Sequence, residues 1–348
     1  MIVRDRRASV RKALHVSAAA ADSYASSQLD PIEKVAAKVV GAKNAPSVVT
    51  VGYIALWYGL NVAFNLQNKV IFNYFPYPWF VSTVHVIIGT LYCAAMYLAG
   101  AKKASFERPI TAKEFKAIFP PAAMHAAGHV AANLSFAAVA ISLTHTVKTL
   151  EPAFNVILSR IILGEATALP VLGALVPIMV GVAMASAAEL SFNWYGFISA
   201  MISNLTFGFR AVWSKKNMKE ISIGSTAIYA WTTLISCLIC IPGVILFEPQ
   251  VFPAIQQQIA EKGLMAFATP LISVGLLYHL YNQFAFNTLA RVTPVSHGVC
   301  NVVKRVAIIA TSVLFFGNTL TMQTKIGTGV ALFGTYLYTE MVKKYKKH

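Results

Sequence analysis

From Ser47 onward the chain is a succession of apolar runs of about 20 residues. They lie near 47–70, 78–99, 116–139, 141–163, 168–186, 193–214, 222–246, 264–289, 293–316 and 322–342. Each is long enough to cross a bilayer core of about 30 Å. Inside lipid a backbone satisfies its polar groups only as a helix or a closed barrel, and runs of this length select the helix. The expected fold is an all-α membrane protein with ten transmembrane helices. The turn between the third and fourth runs must be tight, at Ile141, Ser142 and Leu143. Pro120 and Pro121 are expected to distort the start of the third run, and Pro294 sits near the start of the ninth. Composition agrees with this class: of 348 residues, 57% are hydrophobic and 12% charged, against about 25% charged in soluble globular chains. A soluble enzyme and a disordered chain are excluded. Four cysteines cannot staple a chain of this size.

The charge is uneven, with 29 Lys and Arg against 13 Asp and Glu and a formal net charge of +16. In a soluble protein that excess suggests nucleic acid; in a membrane protein it sets orientation, so no nucleic-acid partner is expected. With ten crossings both termini share one side. Twenty-three basic residues fall there, Arg160, Arg210 and Arg291 at run ends among them, against Lys69, Lys262 and Lys325 on the other. The positive-inside rule then puts both termini in the cytoplasm-equivalent compartment.

Four segments follow. Residues 1–45 are a basic Ala/Ser-rich tail, read equally as a transit-peptide remnant or as a plain basic extension. Residues 46–190 and 191–342 are two five-helix halves, and 343–348 a basic C-terminal tail. The halves share a weak repeat. The segment from Ser142 and His145 to Gly164 resembles that from Pro294 and His297 to Gly317, at an offset of 152 to 153 residues, and Trp57-Tyr58-Gly59 recurs as Trp194-Tyr195-Gly196. An odd number of crossings per half inverts the second copy, a transporter signature that places the site near the midplane.

Three basic residues remain inside the runs: Lys148, Lys304 and Arg305. A charge at a helix centre costs about 2.5–3.5 kcal/mol on insertion scales. Glu151, at i+3 from Lys148, is placed to pair with it on one helix face, which is the bland reading of Lys148, and nothing comparable in the runs neutralises Lys304 and Arg305. A bound anion would. Lys supplies a point charge and Arg a planar fork that fits phosphate. Polar groups gather at the same depth: His129 and Asn133 on one face of the third run, Tyr281 and Asn282 in the eighth. His145 and His297 read as caps, and His125 and His279 as helix–helix contacts. Cys237 and Cys240 have redox spacing without a basic neighbour, so packing is expected. There is no phosphate-cradling ATPase loop, and no intramembrane carboxylate pair for proton or sodium coupling.

These residues carry a resemblance. The segments Trp57–Lys69, Asn73–Pro78, His129–Ala140, Thr144–Pro152, Tyr278–Gln283 and Ser296–Arg305 resemble the plastid phosphate translocators of the drug/metabolite transporter superfamily. Asn287–Val292 and the stretch from Phe316 to Thr324 look most like the triose-phosphate type. Hexose- and pentose-phosphate members have an aromatic residue where His297 stands, and a phosphoenolpyruvate type shares it. The resemblance implies the drug/metabolite transporter fold with two inverted five-helix repeats, and no enzyme activity and no cofactor. It implies strict antiport of inorganic phosphate against triose phosphates and 3-phosphoglycerate across a plastid inner envelope membrane, with both termini on the stromal side. The partners would be these phosphorylated C3 metabolites and membrane lipid, and nothing sets an oligomeric state. Phosphate contacts would fall to Lys148, Lys304 and Arg305, and carbon-skeleton contacts to His129, Tyr281 and Phe207. Ala131 and Ala132 stand where relatives carry hydroxyls, and Cys300 where they carry Gly. A nucleotide-sugar transporter is the more distant alternative, and a non-transporting receptor or scaffold would leave Lys304 and Arg305 without a task.

Overall fold

A computed structural model describes residues 31–217, 221–289, 291–292, 294–317 and 319–345. The expected tail lies outside the described residues up to 30, as does the end of the basic C-terminal tail, 346–348. Among the described residues there is no strand. The chain divides into two compact units, residues 1–56 and 57–348.

The described part of the first unit holds α1 (Pro31–Val40) and the opening turns of α2 (Ala45–Tyr74). The second unit continues α2 and adds α3 (Pro78–Leu98), α4 (Ala112–Ala138), α5 (Ile141–Val147) and α6 (Glu151–Leu163). Then come α7 (Leu169–Gly173), α8 (Leu175–Ala187), α9 (Trp194–Asn217), α10 (Ser225–Phe247) and the amphipathic α11 (Val251–Lys262). It ends with α12 (Leu264–Leu289), α13 (Pro294–Phe316) and α14 (Met322–Tyr345).

Among the described residues, six stretches are long and apolar enough to cross a membrane: α2, α3, α10, 169–187 (α7 with α8), and most of α12 and α13. The helices over the other four apolar runs are more polar or more broken. α4 carries Lys113, Glu114, Lys116, His125, His129 and Asn133, and α5 and α6 are separated by a 3-10 turn. Large apolar side chains such as Leu238, Leu246 and Leu314 face outward, as lipid permits.

Pro120 and Pro121 lie inside α4, which runs on through them. One expectation is corrected. Ile141, Ser142 and Leu143 are not the turn; they open α5, and the break is Val139 and Ala140. That break is held from α2, where Lys69 Nζ donates to the carbonyls of Phe136 and Val139 at 2.8 and 3.0 Å. A cation at a helix C-terminus satisfies orphan carbonyls and opposes the negative end of the dipole. Lys69 is thus a C-terminal clamp on α4 as well as a charge in the orientation tally.

Other helix ends are tied across the bundle. Pro78 starts α3, where a missing N–H costs nothing. The next two amides, of Trp79 and Phe80, donate to the two Glu248 carboxylate oxygens at 3.0 and 2.9 Å. Thr111 and Glu114 form a capping box on α4. α8 and α14 approach with backbones in contact: a Cβ on Gly181 would meet the backbone of Gly327 and Ala331 at 2.4–2.9 Å. Small residues permit this closeness, the usual way helices associate in lipid.

Candidate functional site

The site begins with a broken helix. Pro152 has no N–H to give the carbonyl four residues earlier, on Lys148, and its ring crowds that carbonyl. The helix therefore stops at Val147, passes through a 3-10 turn at Lys148–Leu150, and resumes at Glu151. The Val147 carbonyl is taken up by Asn204 Nδ2 of α9 at 2.9 Å. Lys148 is left at the break, and its Nζ donates to Ser203 Oγ at 2.8 Å. It sits 4.6 Å from the centroid of the Phe207 ring.

α13 supplies the next two cations. Adjacent helical residues point about 100° apart, and Lys304 and Arg305 accordingly reach different partners. Lys304 Nζ donates to Asn301 Oδ1 at 3.1 Å and lies 4.8 Å from the Trp57 ring centroid. Arg305 Nη2 donates to Glu151 Oε2 at 2.9 Å. Its Nη1 is buried with no hydrogen-bond partner among the described residues. The expectation that nothing in the runs neutralises Arg305 is corrected here: Glu151, placed in sequence to pair with Lys148, reaches across the bundle to Arg305 instead.

All six sequence-identified residues line one cavity of about 380 Å³: Lys148, Lys304, Arg305, His129, Tyr281 and Phe207. His129 is 4% exposed, stacks on Tyr278 at 4.0 Å between ring centroids, and meets His85 at 3.1 Å. Tyr281 is edge-on to Tyr278 at 5.6 Å and tilted against Phe64 at 5.2 Å. Ala132 also lines the cavity, so no hydroxyl stands at that position.

Several lining residues lay outside the sequence-based set. Arg210, assigned above to a run end, faces the cavity: its Nη1 donates to His125 Nδ1 at 2.9 Å and its guanidinium lies 5.1 Å from the Phe207 ring. Its i, i+3 spacing from Phe207 was the available signal. His145 and His297 are not caps. His145 bonds Asn65 Oδ1 at 2.9 Å, and His297 stacks on Trp57 at 4.8 Å; both line the cavity. His125 does tie helices together, through Arg210 and Tyr278, and also lines the cavity. His279 links α12 to Cys93 of α3 at 3.5 Å. Cys237 and Cys240 are buried free thiols packed in the core.

The described lining thus holds four cations and one carboxylate around neutral amides and aromatic rings. The lining carries an excess of positive charge, and one of its residues, Arg305, keeps a buried guanidinium nitrogen without a partner among the described residues.

Residues 48–339 match the model of the Triose-phosphate Transporter family. The "Triose phosphate/phosphate translocator, chloroplastic" of Spinacia oleracea is 46% identical over 89% of this chain and 76% of its own. The protein of the same description from Pisum sativum is 47% identical over 84% of this chain and 72% of its own. "Glucose-6-phosphate/phosphate translocator 2, chloroplastic" of Arabidopsis thaliana is 36% identical over 95% of this chain and 86% of its own. A solved crystal structure superposes with a TM-score of 0.50, covering 87% of this chain and 99% of its own at 15% identity, a likeness of fold alone.

Proposed function

The chain belongs to the Triose-phosphate Transporter family, and on that premise we propose that it is a strict antiporter exchanging inorganic phosphate for triose phosphates and 3-phosphoglycerate. One observation carries the reading: among the described residues of one cavity, four cations, Lys148, Arg210, Lys304 and Arg305, stand against Glu151. A phosphate group, near two negative charges, balances that excess better than a carboxylate. Lys148, Lys304 and Arg305 are its contacts. His129, Tyr281 and Phe207 meet the carbon skeleton. At about 380 Å³ the cavity is at the small end of ligand pockets, which suits a three-carbon phosphate better than a nucleotide sugar.

The same charges account for strict exchange. Closing both gates on an empty cavity would desolvate Lys148, Arg210 and Lys304 with no counterion, which is expensive. Bound phosphate supplies the counterion and permits occlusion. The loaded carrier turns over and the empty one stays open. Ten crossings in two inverted five-helix halves, 46–190 and 191–342, rock about the site to alternate access. The relatives' chloroplast descriptions and the basic-residue asymmetry support an inner-envelope placement with both termini on the stromal side.

Purified protein in liposomes takes up labelled phosphate when phosphate or a triose phosphate is loaded inside. Equal uptake into empty liposomes would sink strict exchange. His297 in the cavity wall keeps a phosphoenolpyruvate/phosphate exchanger as the second reading; competition by phosphoenolpyruvate stronger than by triose phosphate would select it. Competition by nucleotide sugars would select the more distant alternative.

A further inference from the structure

His85 lies behind the cavity wall, fully buried on α3, with its Nδ1 3.1 Å from Nε2 of the lining residue His129. One of these nitrogens donates, and the surroundings decide which. The other His85 nitrogen, Nε2, is buried with no hydrogen-bond partner among the described residues. A proton there would be an orphaned donor, rarer and costlier than a bare lone pair. His129 Nε2 also faces Asn133 Nδ2 at 3.5 Å. That amide is oriented by its own 2.6 Å bond to Ser82 Oγ and by Asn68 Nδ2, which donates to Asn133 Oδ1 at 2.9 Å. A proton on His129 Nε2 would oppose this donor. Both observations make His85 Nδ1–H the donor and His129 Nε2 the acceptor. A neutral His129 then carries its proton on Nδ1.

The neighbouring chain of bonds is settled the same way. Arg210 Nη1 can only donate, so His125 Nδ1 accepts at 2.9 Å and His125 holds its proton on Nε2. That proton goes to Tyr278 Oη at 3.1 Å. The Tyr278 hydroxyl proton is then left for the cavity that Tyr278 lines, beside the stacked ring of His129.

We propose that His85 is a positioning residue that holds His129 in the Nδ1–H form, so that this wall presents donors to an acceptor oxygen, a carboxylate or carbonyl, on the substrate's carbon skeleton. The proposal rests on the exchange reading above. His85 acts through the tautomer and orientation of a residue that touches substrate, as outer partners of ligand histidines do at metal sites.

The test compares His85→Leu with His85→Asn, whose amide nitrogen falls near the place of Nδ1, in full-length protein in liposomes. His85→Leu should raise the KM for 3-phosphoglycerate about tenfold, the loss of about one hydrogen bond to a charged group. The KM for inorganic phosphate should stay within about twofold, and His85→Asn should bring 3-phosphoglycerate back to within about threefold of the parent. Imidazole 15N spectra, with the His129 signal assigned by its loss in His129→Gln, should show the Nδ1-protonated form in the parent and a mixture in His85→Leu. An Nε2-protonated His129 in the parent overturns the proposal, as does an equal rise in KM for both anions. If His85→Leu does not fold, the parent spectrum and the Asn variant decide. A parent that carries neither anion refutes the exchange reading, and the tautomer alone then decides the role of His85.

Discussion

Two arginine–glutamate pairs in this molecule look alike on paper and are built to opposite ends. Glu114, at the start of α4, accepts both terminal nitrogens of Arg108 at 3.0 and 2.7 Å. It also accepts the Thr111 amide and hydroxyl and the Ser222 amide and hydroxyl, at 2.9–3.2 Å. Each of its oxygens is used more than once. Glu151, in the cavity, has one short bond, from Arg305 Nη2 at 2.9 Å, while Arg305 Nη1 is left with no partner among the described residues. The first pair ties the α4 N-terminus to the segment before α10. The second leaves a buried donor unused on a residue that lines a cavity with excess positive charge. A saturated pair is structure; an unsaturated one in a cavity is a place for a ligand.

The largest expected effect follows from removing the open donor. Arg305→Gln should lower phosphate counter-exchange at least about a hundredfold in liposomes, because it deletes a charge-assisted bond to the anion and one of the cavity's positive charges. Yield and melting temperature should hold, since Glu151 is 29% exposed at its side chain and keeps contact with water. The matching change at the saturated pair, Arg108→Gln, should alter exchange by less than about threefold. If the two variants lose exchange equally, the distinction between the pairs is wrong. A smaller effect is expected at Glu151→Gln. The cavity then lacks its competing carboxylate, so the KM for phosphate should fall about threefold, while slower release lowers the turnover about tenfold. A rise in KM would make Glu151 a scaffold for Arg305 and no competitor.

How much of this was legible in the sequence divides along the same line. The cost of charge in lipid singled out Lys148, Lys304 and Arg305, and all three line the cavity. The break that frees Lys148 was implicit in Pro152, four residues on, although the sequence was read there as one uninterrupted run. Arg210 was missed because a cation near a run end is also what the orientation rule predicts. The partner of Glu151 was out of reach. Sequence proximity offered only Lys148 at i+3, whereas the bond formed is with Arg305, 154 positions away. His145 and His297 were misread for a related reason. Position at a helix start says nothing about the residue packed opposite, here Asn65 and Trp57, which packing across the bundle supplies.

The smallest effect sharpens the comparison from the structural side. The Arg108 guanidinium, with the Thr111 and Ser222 amides, holds the Glu114 carboxyl well below its usual range. In the unfolded chain that carboxyl returns to about 4.3. A carboxyl depressed on folding stabilises the native state fully above its unfolded value, and this contribution is lost as the pH falls through the folded one. Glu114→Gln should therefore melt about 3 °C below the parent between roughly pH 6 and 8. The gap should narrow progressively below about pH 4.5, where the parent carboxyl loses its advantage. Exchange at neutral pH should be unchanged within about twofold, because the network lies away from the cavity lining. A gap that stays constant through the acid range would mean that the carboxylate charge contributes nothing and that shape and hydrogen bonding alone hold the cap. A gap that closes together with a loss of exchange would mean instead that the two arginine–glutamate pairs are coupled through α4, whose other end carries His129.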